Sequence, residues 1–129
     1  MAVAAHRGLY DVDAAVPVLR GTRCGSCGAV FFPPLGIGCA ACGSTELADA
    51  ELAAEGDLHS FATVHLYRGK DVEAPFTVGE IVLAGGPVIR AMLTSDDIAI
   101  GDRVVAEWAV TGVDDDGAEI VEPRFRRAS

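Results

Sequence analysis

The stretch that decides the fold is Arg23-Cys-Gly-Ser-Cys-Gly-Ala-Val-Phe-Phe-Pro-Pro-Leu-Gly-Ile-Gly-Cys-Ala-Ala-Cys-Gly-Ser44. Cys24 and Cys27 form one C-x2-C pair, Cys39 and Cys42 a second, with eleven residues between the pairs. Glycine follows each pair directly, as Gly28 and Gly43. A C-x2-C turn aims two thiolates at one metal while its amides donate to the sulfurs. The glycine supplies the positive φ that such a knuckle needs. Two knuckles give four thiolates, a closed tetrahedral set with no position left for a substrate, which is the donor set of structural zinc. Iron uses the same knuckles, and the residues alone leave the choice open.

Two disulfides or a redox C-x-x-C are the competing readings. Disulfides belong to oxidising compartments. Met1–Ala5 is apolar but short, and His6, Arg7, Asp11 and Asp13 follow, so no export signal is expected. A redox pair needs only two cysteines and a helix start, not a Pro/Gly-rich loop. Gly25–Thr45 is uncharged over 21 residues, yet five glycines, Pro33-Pro34 and the cysteines exclude a lipid-exposed helix. The chain is therefore expected to be soluble and cytoplasmic, with no membrane partner.

Working outward, 129 residues suffice for this small metal-stapled module and one further compact fold. Half the chain is apolar and only 6% aromatic, with 15 glycines and 6 prolines, a turn-rich folded composition. Ten basic against 19 acidic residues give a net charge of −9, which repels a phosphate backbone or an anionic membrane. Upstream, Asp11 or Asp13 is placed to cap one helical turn over Ala14–Val16, which Pro17 ends. Val18–Arg23 and Ala29–Phe32 read as short strands around the first knuckle, and Leu47–Glu55 as a strand leading out of the ribbon.

From residue 56 the pattern is strands and turns. Strands are expected at Leu58–Tyr67, Phe76–Leu83, Val88–Leu93, Arg103–Val110 and Ala118–Glu122. Asp96-Asp97 and Gly101-Asp102 flank a linker before the fourth. Asp114–Asp116 reads as a hairpin tip without calcium-loop spacing, and Arg124, Arg126 and Arg127 make a basic tail. Strict alternation places Leu58, Ala62, Val64 and Leu66 on one face of the first strand. His59, Phe61, Thr63, His65 and Tyr67 fall on the other. Five strands in about 70 residues indicate a small antiparallel barrel. The fold class is all-β: residues 1–17 an N-terminal segment, 18–54 a zinc ribbon, 55–129 a five-stranded OB-fold barrel.

These segments resemble a known family. The matching stretches are the two knuckles, Phe31-Phe-Pro-Pro, Glu55-Gly-Asp-Leu-His-Ser-Phe-Ala-Thr-Val, Pro75-Phe-Thr-Val-Gly-Glu-Ile-Val-Leu and Ile100-Gly-Asp-Arg-Val. Together they are similar to the bacterial and archaeal family that joins a rubredoxin-like zinc ribbon to an OB fold, long catalogued as a domain of unknown function. The resemblance implies a non-catalytic accessory subunit of a thiolase-superfamily enzyme, a thiolase or thiolase-like retro-aldolase. The setting it implies is acyl-CoA metabolism, such as fatty-acyl or steroid side-chain breakdown. Family members often carry a more aromatic N-terminal segment, where this chain has only Leu9-Tyr10.

Within that frame Arg68 and Lys70, on the loop between the first two barrel strands, are candidate contacts for CoA phosphates. Asp71 and Glu73 beside them offer the alternative of a solvated tip. Phe31, Phe32 and Leu35 are expected to lie exposed beside the metal as a partner contact. His59 and His65 read either as a ligand or acid/base surface or as a half-buried barrel face. No nucleophile elbow or nucleophile–base pair is visible, so no catalytic residue is assigned. A single-stranded nucleic-acid binder is the alternative function, since OB folds and zinc ribbons both occur there. It calls for a basic groove with stacked aromatics, against the −9 charge and eight aromatics here.

Overall fold

The computed structural model describes residues 2–70, 72–95 and 97–128. Asp71 and Asp96, which figure in the reading above, lie outside the described residues. All elements are strands: β1 (Ala2–Ala4), β2 (Val18–Cys24), β3 (Val30–Phe31), β4 (Leu47–Ala53), β5 (Glu55–Val64), β6 (Phe76–Leu83), β7 (Val88–Leu93), β8 (Arg103–Val113) and β9 (Glu119–Arg127). The ribbon is a three-stranded sheet in the order β3-β2-β4. The barrel closes as β5-β6-β7-β9-β8, with β8 returning to β5. Its β7–β9 contact is parallel, at Leu93 opposite Phe125. This is the five-stranded OB-type barrel expected from the turn spacing.

Three local departures from the strand reading have physical causes. The first strand begins earlier, at Glu55, so Gly56 sits inside the sheet and not in a turn. A Cβ at Gly56 would run into the Val82 carbonyl, and only glycine allows that approach. A β-bulge between Leu58 and Ser60 makes His59 the extra residue, which resets the alternation. Phe61 then pairs with Gly79 and Thr63 with Thr77, in step with Leu58 opposite Ile81, so Phe61 and Thr63 share the Leu58 face. The predicted two-face assignment of this strand is therefore corrected. His65 and Tyr67 fall in the loop beyond Val64, and His59 and His65 share no strand face.

The last strand runs through Pro123 to Arg127. On one side of β9 the Val121 carbonyl accepts from the Ala5 N–H at 2.9 Å and the Phe125 carbonyl from the Thr94 N–H at 2.8 Å. By the two-residue period, the Pro123 nitrogen faces the gap between β1 and β7, where no ladder partner is lost. Arg124, Arg126 and Arg127 therefore belong to the barrel wall and not to a tail. Each is paired: Arg124 with Glu122 at 3.4 Å, Arg126 with Glu107 at 3.1 Å, Arg127 with Asp97 at 3.2 Å.

The N-terminal segment carries no helical turn. Asp11 instead accepts from the Asp13 N–H at 3.0 Å, and the Asp11 carbonyl from the Ala14 N–H at 3.3 Å. That is a side-chain-capped turn that Pro17 leaves too short to extend. The segment is strapped to the barrel. Buried Tyr10 donates its hydroxyl to the Val121 carbonyl at 3.0 Å and accepts the His6 N–H at 3.1 Å. Its ring packs on Trp108 at 5.5 Å, and the Trp108 indole N–H donates to the Ala14 carbonyl at 2.9 Å. Burial pushes the Tyr10 phenol above its ordinary pKa. Tyr10→Phe is expected to cost about 1–2 kcal/mol in denaturant unfolding, because it leaves the His6 N–H without its acceptor and takes from the Val121 carbonyl one of the two donors it holds.

Ribbon and barrel share one core. Leu19 of β2 and Leu52 of β4 cluster with Leu58, Ile81, Leu83, Val104 and Phe125 of the barrel, and Tyr10 joins them.

Candidate functional site

The two knuckles meet at one point. All four cysteine sulfurs lie within 4.8 Å of one another, with Cys24–Cys42 and Cys27–Cys39 at 3.6 Å. Four sulfurs about 2.3 Å from a common tetrahedral centre stand about 3.8 Å apart, so this spacing fits a single metal ion. The knuckles are near copies of each other. Cys24 Sγ accepts from the Ser26 and Cys27 N–H groups at 3.4 and 3.5 Å, and Cys39 Sγ from those of Ala41 and Cys42 at 3.3 and 3.4 Å. Gly28 and Gly43, at φ 77° and 82°, turn back to donate to the Cys24 and Cys39 carbonyls at 3.0 and 2.9 Å.

Those amides stabilise thiolate. The Cys27 N–H, helped by that of Ser26, pulls the Cys24 thiol down to about 6. At Cys39 burial opposes ionisation, but the Cys42 and Ala41 amides outweigh it and the thiol is lowered. Cross-links hold the two knuckles in register. The Gly25 N–H donates to the Glu46 carbonyl at 2.7 Å and the Ser26 and Ser44 hydroxyls bond at 2.9 Å, while the Cys39 N–H closes the second knuckle on itself by donating to the Ser44 carbonyl at 2.8 Å. Cys24 and Cys39 are buried and Cys27 and Cys42 exposed, so one flank of the centre reaches the surface. With four protein donors the site supplies cohesion and leaves no coordination position for a substrate.

The apolar flank of the ribbon is arranged differently from the expectation. Phe31, Phe32 and Leu35 are half-buried, and Phe32 packs against the shared core. The Leu35 N–H donates to buried Thr22 Oγ1 at 3.0 Å, folding that loop inward. Ile37, at the loop's far end, is 94% exposed and is the apolar residue that the ribbon presents to solvent.

Among the described residues, cavities of two kinds border the barrel. One, of about 500 Å³, lies where the N-terminal segment, ribbon and barrel meet, between Leu9, Tyr10, Phe32, Ile89, Met92 and Phe125. The other, of about 720 Å³, is lined from all five barrel strands and the β5–β6 loop. Arg68 and Lys70 are exposed on that loop and line neither cavity. Among the described residues they form no ion pair, so their charge is directed to solvent. Tyr67 packs edge-on to Phe76 at 5.2 Å and fixes the start of the loop. Arg124, which the sequence reading placed in a tail, lines the larger cavity. The apolar alternation Val121, Pro123, Phe125 is the signal that would have carried the strand to it.

Known proteins agree with this architecture. Residues 13–48 match the model of the ChsH2 rubredoxin-like zinc ribbon domain, and residues 49–109 that of the ChsH2 C-terminal OB-fold domain. A DUF35 domain-containing scaffold protein of Methanocaldococcus jannaschii is 34% identical over 115 residues, covering 84% of this chain and 80% of that protein. A chain of the solved Ltp2-ChsH2(DUF35) aldolase superposes with a TM-score of 0.69 at 29% identity, covering 86% of this chain and 85% of that one. With two matched knuckles, a closed OB barrel and these relatives, the chain belongs to the ChsH2/DUF35 family of rubredoxin-like zinc ribbon plus OB-fold proteins.

Proposed function

We propose that this protein is a non-catalytic accessory subunit of a thiolase-superfamily enzyme, a thiolase or thiolase-like retro-aldolase acting on acyl-CoA in the cytoplasm. The observation that carries the reading is likeness across both modules to a chain of an aldolase complex and to a scaffold protein. The metal centre supports it, since four thiolates close the coordination sphere and leave the metal a structural task. Zinc is the proposed ion, and metal analysis of the purified chain is expected to find about one per chain. The partner contributes the reacting groups. This chain contributes a rigid surface whose apolar element at the ribbon is Ile37, with Arg68 and Lys70 offered to CoA phosphates.

Co-expression with a thiolase-like enzyme of the same organism tests the proposal. The two are expected to co-elute, and the chain alone to turn over no acyl-CoA thioester. Ile37→Asp is expected to weaken the complex by about tenfold or more while leaving the fold intact, as burying an unpaired charge at an interface does. Phe32→Asp disturbs the shared core as well, so it reads less cleanly. Arg68→Ala with Lys70→Ala is expected to raise the complex's KM for acyl-CoA and spare its kcat. An enzyme that is fully active and never co-elutes with this chain sinks the reading.

A further inference from the structure

We propose that the larger cavity binds a small organic monocarboxylate, with Arg124 as the charge partner of the carboxylate. At about 720 Å³ its size lies within the range of small-molecule sites. Phe61, Phe76, Leu93 and Ile98 give it apolar walls, and hydroxyls from Thr63, Thr77, Thr94, Ser95 and Thr111 line it. Four of those hydroxyls are weakly committed elsewhere, while the fifth, Ser95 Oγ, accepts the Arg127 N–H at 2.9 Å. Thr63 and Thr77 stand 3.3 Å apart, Thr94 reaches the Phe125 carbonyl at 3.4 Å, and Thr111 that of Ile120 at 3.3 Å. All are long for O–H···O bonds.

Among the described residues Arg124 is the one cation in this lining. Its side chain is only 21% exposed, and its ion pair is a 3.4 Å contact from Nη2 to Glu122, two residues away on the same strand. Its Nε is buried and has no acceptor among the described residues. The sealed Nε marks a guanidinium short of acceptors, and its Nη groups, held among the described residues by that one long pair, carry the donors offered to a ligand in the cavity. A carboxylate supplies two acceptors, in the planar arrangement that a guanidinium matches. Charge selects a monoanion over a phosphate dianion. One guanidinium faces Glu122, and Glu73 also lines the cavity, so a second negative charge has no counterpart. The apolar walls select an organic body over an inorganic ion.

The test uses the purified, metal-loaded full chain titrated with 4-phenylbutyrate, 4-phenylbutanol and phenyl phosphate, read by calorimetry and by NMR shifts of the Thr77, Thr111 and Arg124 amides. Saturable one-site binding of the carboxylate is expected, with the alcohol and the phosphate each weaker by about tenfold or more. Arg124→Gln is expected to cost a similar factor, and Glu122→Gln to tighten binding by releasing the guanidinium. Thr63→Trp, at an exposed strand position, fills the cavity and is expected to abolish binding with the circular dichroism unchanged. It keeps the test decisive if Arg124→Gln fails to fold. Absence of saturable binding overturns the proposal. So does equal affinity for the alcohol, tighter binding of the phosphate, or binding that survives Arg124→Gln or Thr63→Trp.

Discussion

Cys39→Ser is expected to reduce bound metal from about one ion per chain to near none and to loosen the whole ribbon, because structural zinc contributes on the order of 10–16 kcal/mol in small modules. A serine hydroxyl stays protonated at neutral pH and leaves three thiolates. Cys39 is also a poor position to lose on hydrogen-bonding grounds, since its sulfur accepts two amides and its own N–H holds Ser44. The sequence alone implies that the barrel survives such a loss largely intact. The shared core changes the expected extent: Leu19 and Leu52 leave with the ribbon, and uncovering each costs the barrel about 1.5–3 kcal/mol. Hydrogen exchange is therefore expected to accelerate across residues 18–53 and, less strongly, in β6, whose Ile81 and Leu83 belong to the same cluster. Chelation of the wild-type metal is expected to give the same pattern. Unchanged metal content or unchanged exchange in the ribbon rules out the four-thiolate centre.

Phe125→Ala is expected to destabilise the chain by about 3–5 kcal/mol, the range for emptying a large aromatic site in a core. Phe125 is 1% exposed and sits where the barrel closes, opposite Leu93 on β7 and Ala106 on β8. Its carbonyl also accepts the Thr94 N–H at 2.8 Å, so the residue joins strands through its side chain and its backbone. Thermal unfolding is expected to shift down by about 10–20 °C for a chain of this size. Val113→Ala is the control. Val113 is 63% exposed near the β8–β9 turn, and its truncation is expected to stay within about 0.5 kcal/mol. Equal effects of the two substitutions would mean that closure through β9 contributes little.

The metal ligands were legible residue by residue because the requirement is local. Spacing within a C-x2-C pair and the glycine after it determine where two thiolates point, and no distant contact alters that. Strand existence from β2 onward was legible for a similar reason, since apolar alternation between turn residues reports burial on one face; β1 was not, because Ala2–Ala4 become a strand only by pairing with β9. Which face was not legible. A bulge at His59 adds one residue, and one residue inverts every side chain beyond it, so Phe61 and Thr63 line a cavity instead of the opposite surface.

Tertiary structure alone decided the rest. Pro123 reads as the end of a strand until β1 and β7 are seen to leave a gap beside it, and with that gap Arg124 becomes a cavity wall. Tyr10 and Trp108 are far apart in sequence, and their pairing, which straps the N-terminal segment down, follows from how β8 and β9 lie together. Phe32 turns inward and Ile37 outward because Thr22 draws the Leu35 amide toward the ribbon sheet. The sequence by itself determined a four-thiolate metal centre and an all-β barrel, properties written in short-range spacing. Which groups share a cavity, a core or a surface depends on register between distant strands, and register is fixed only when the barrel closes.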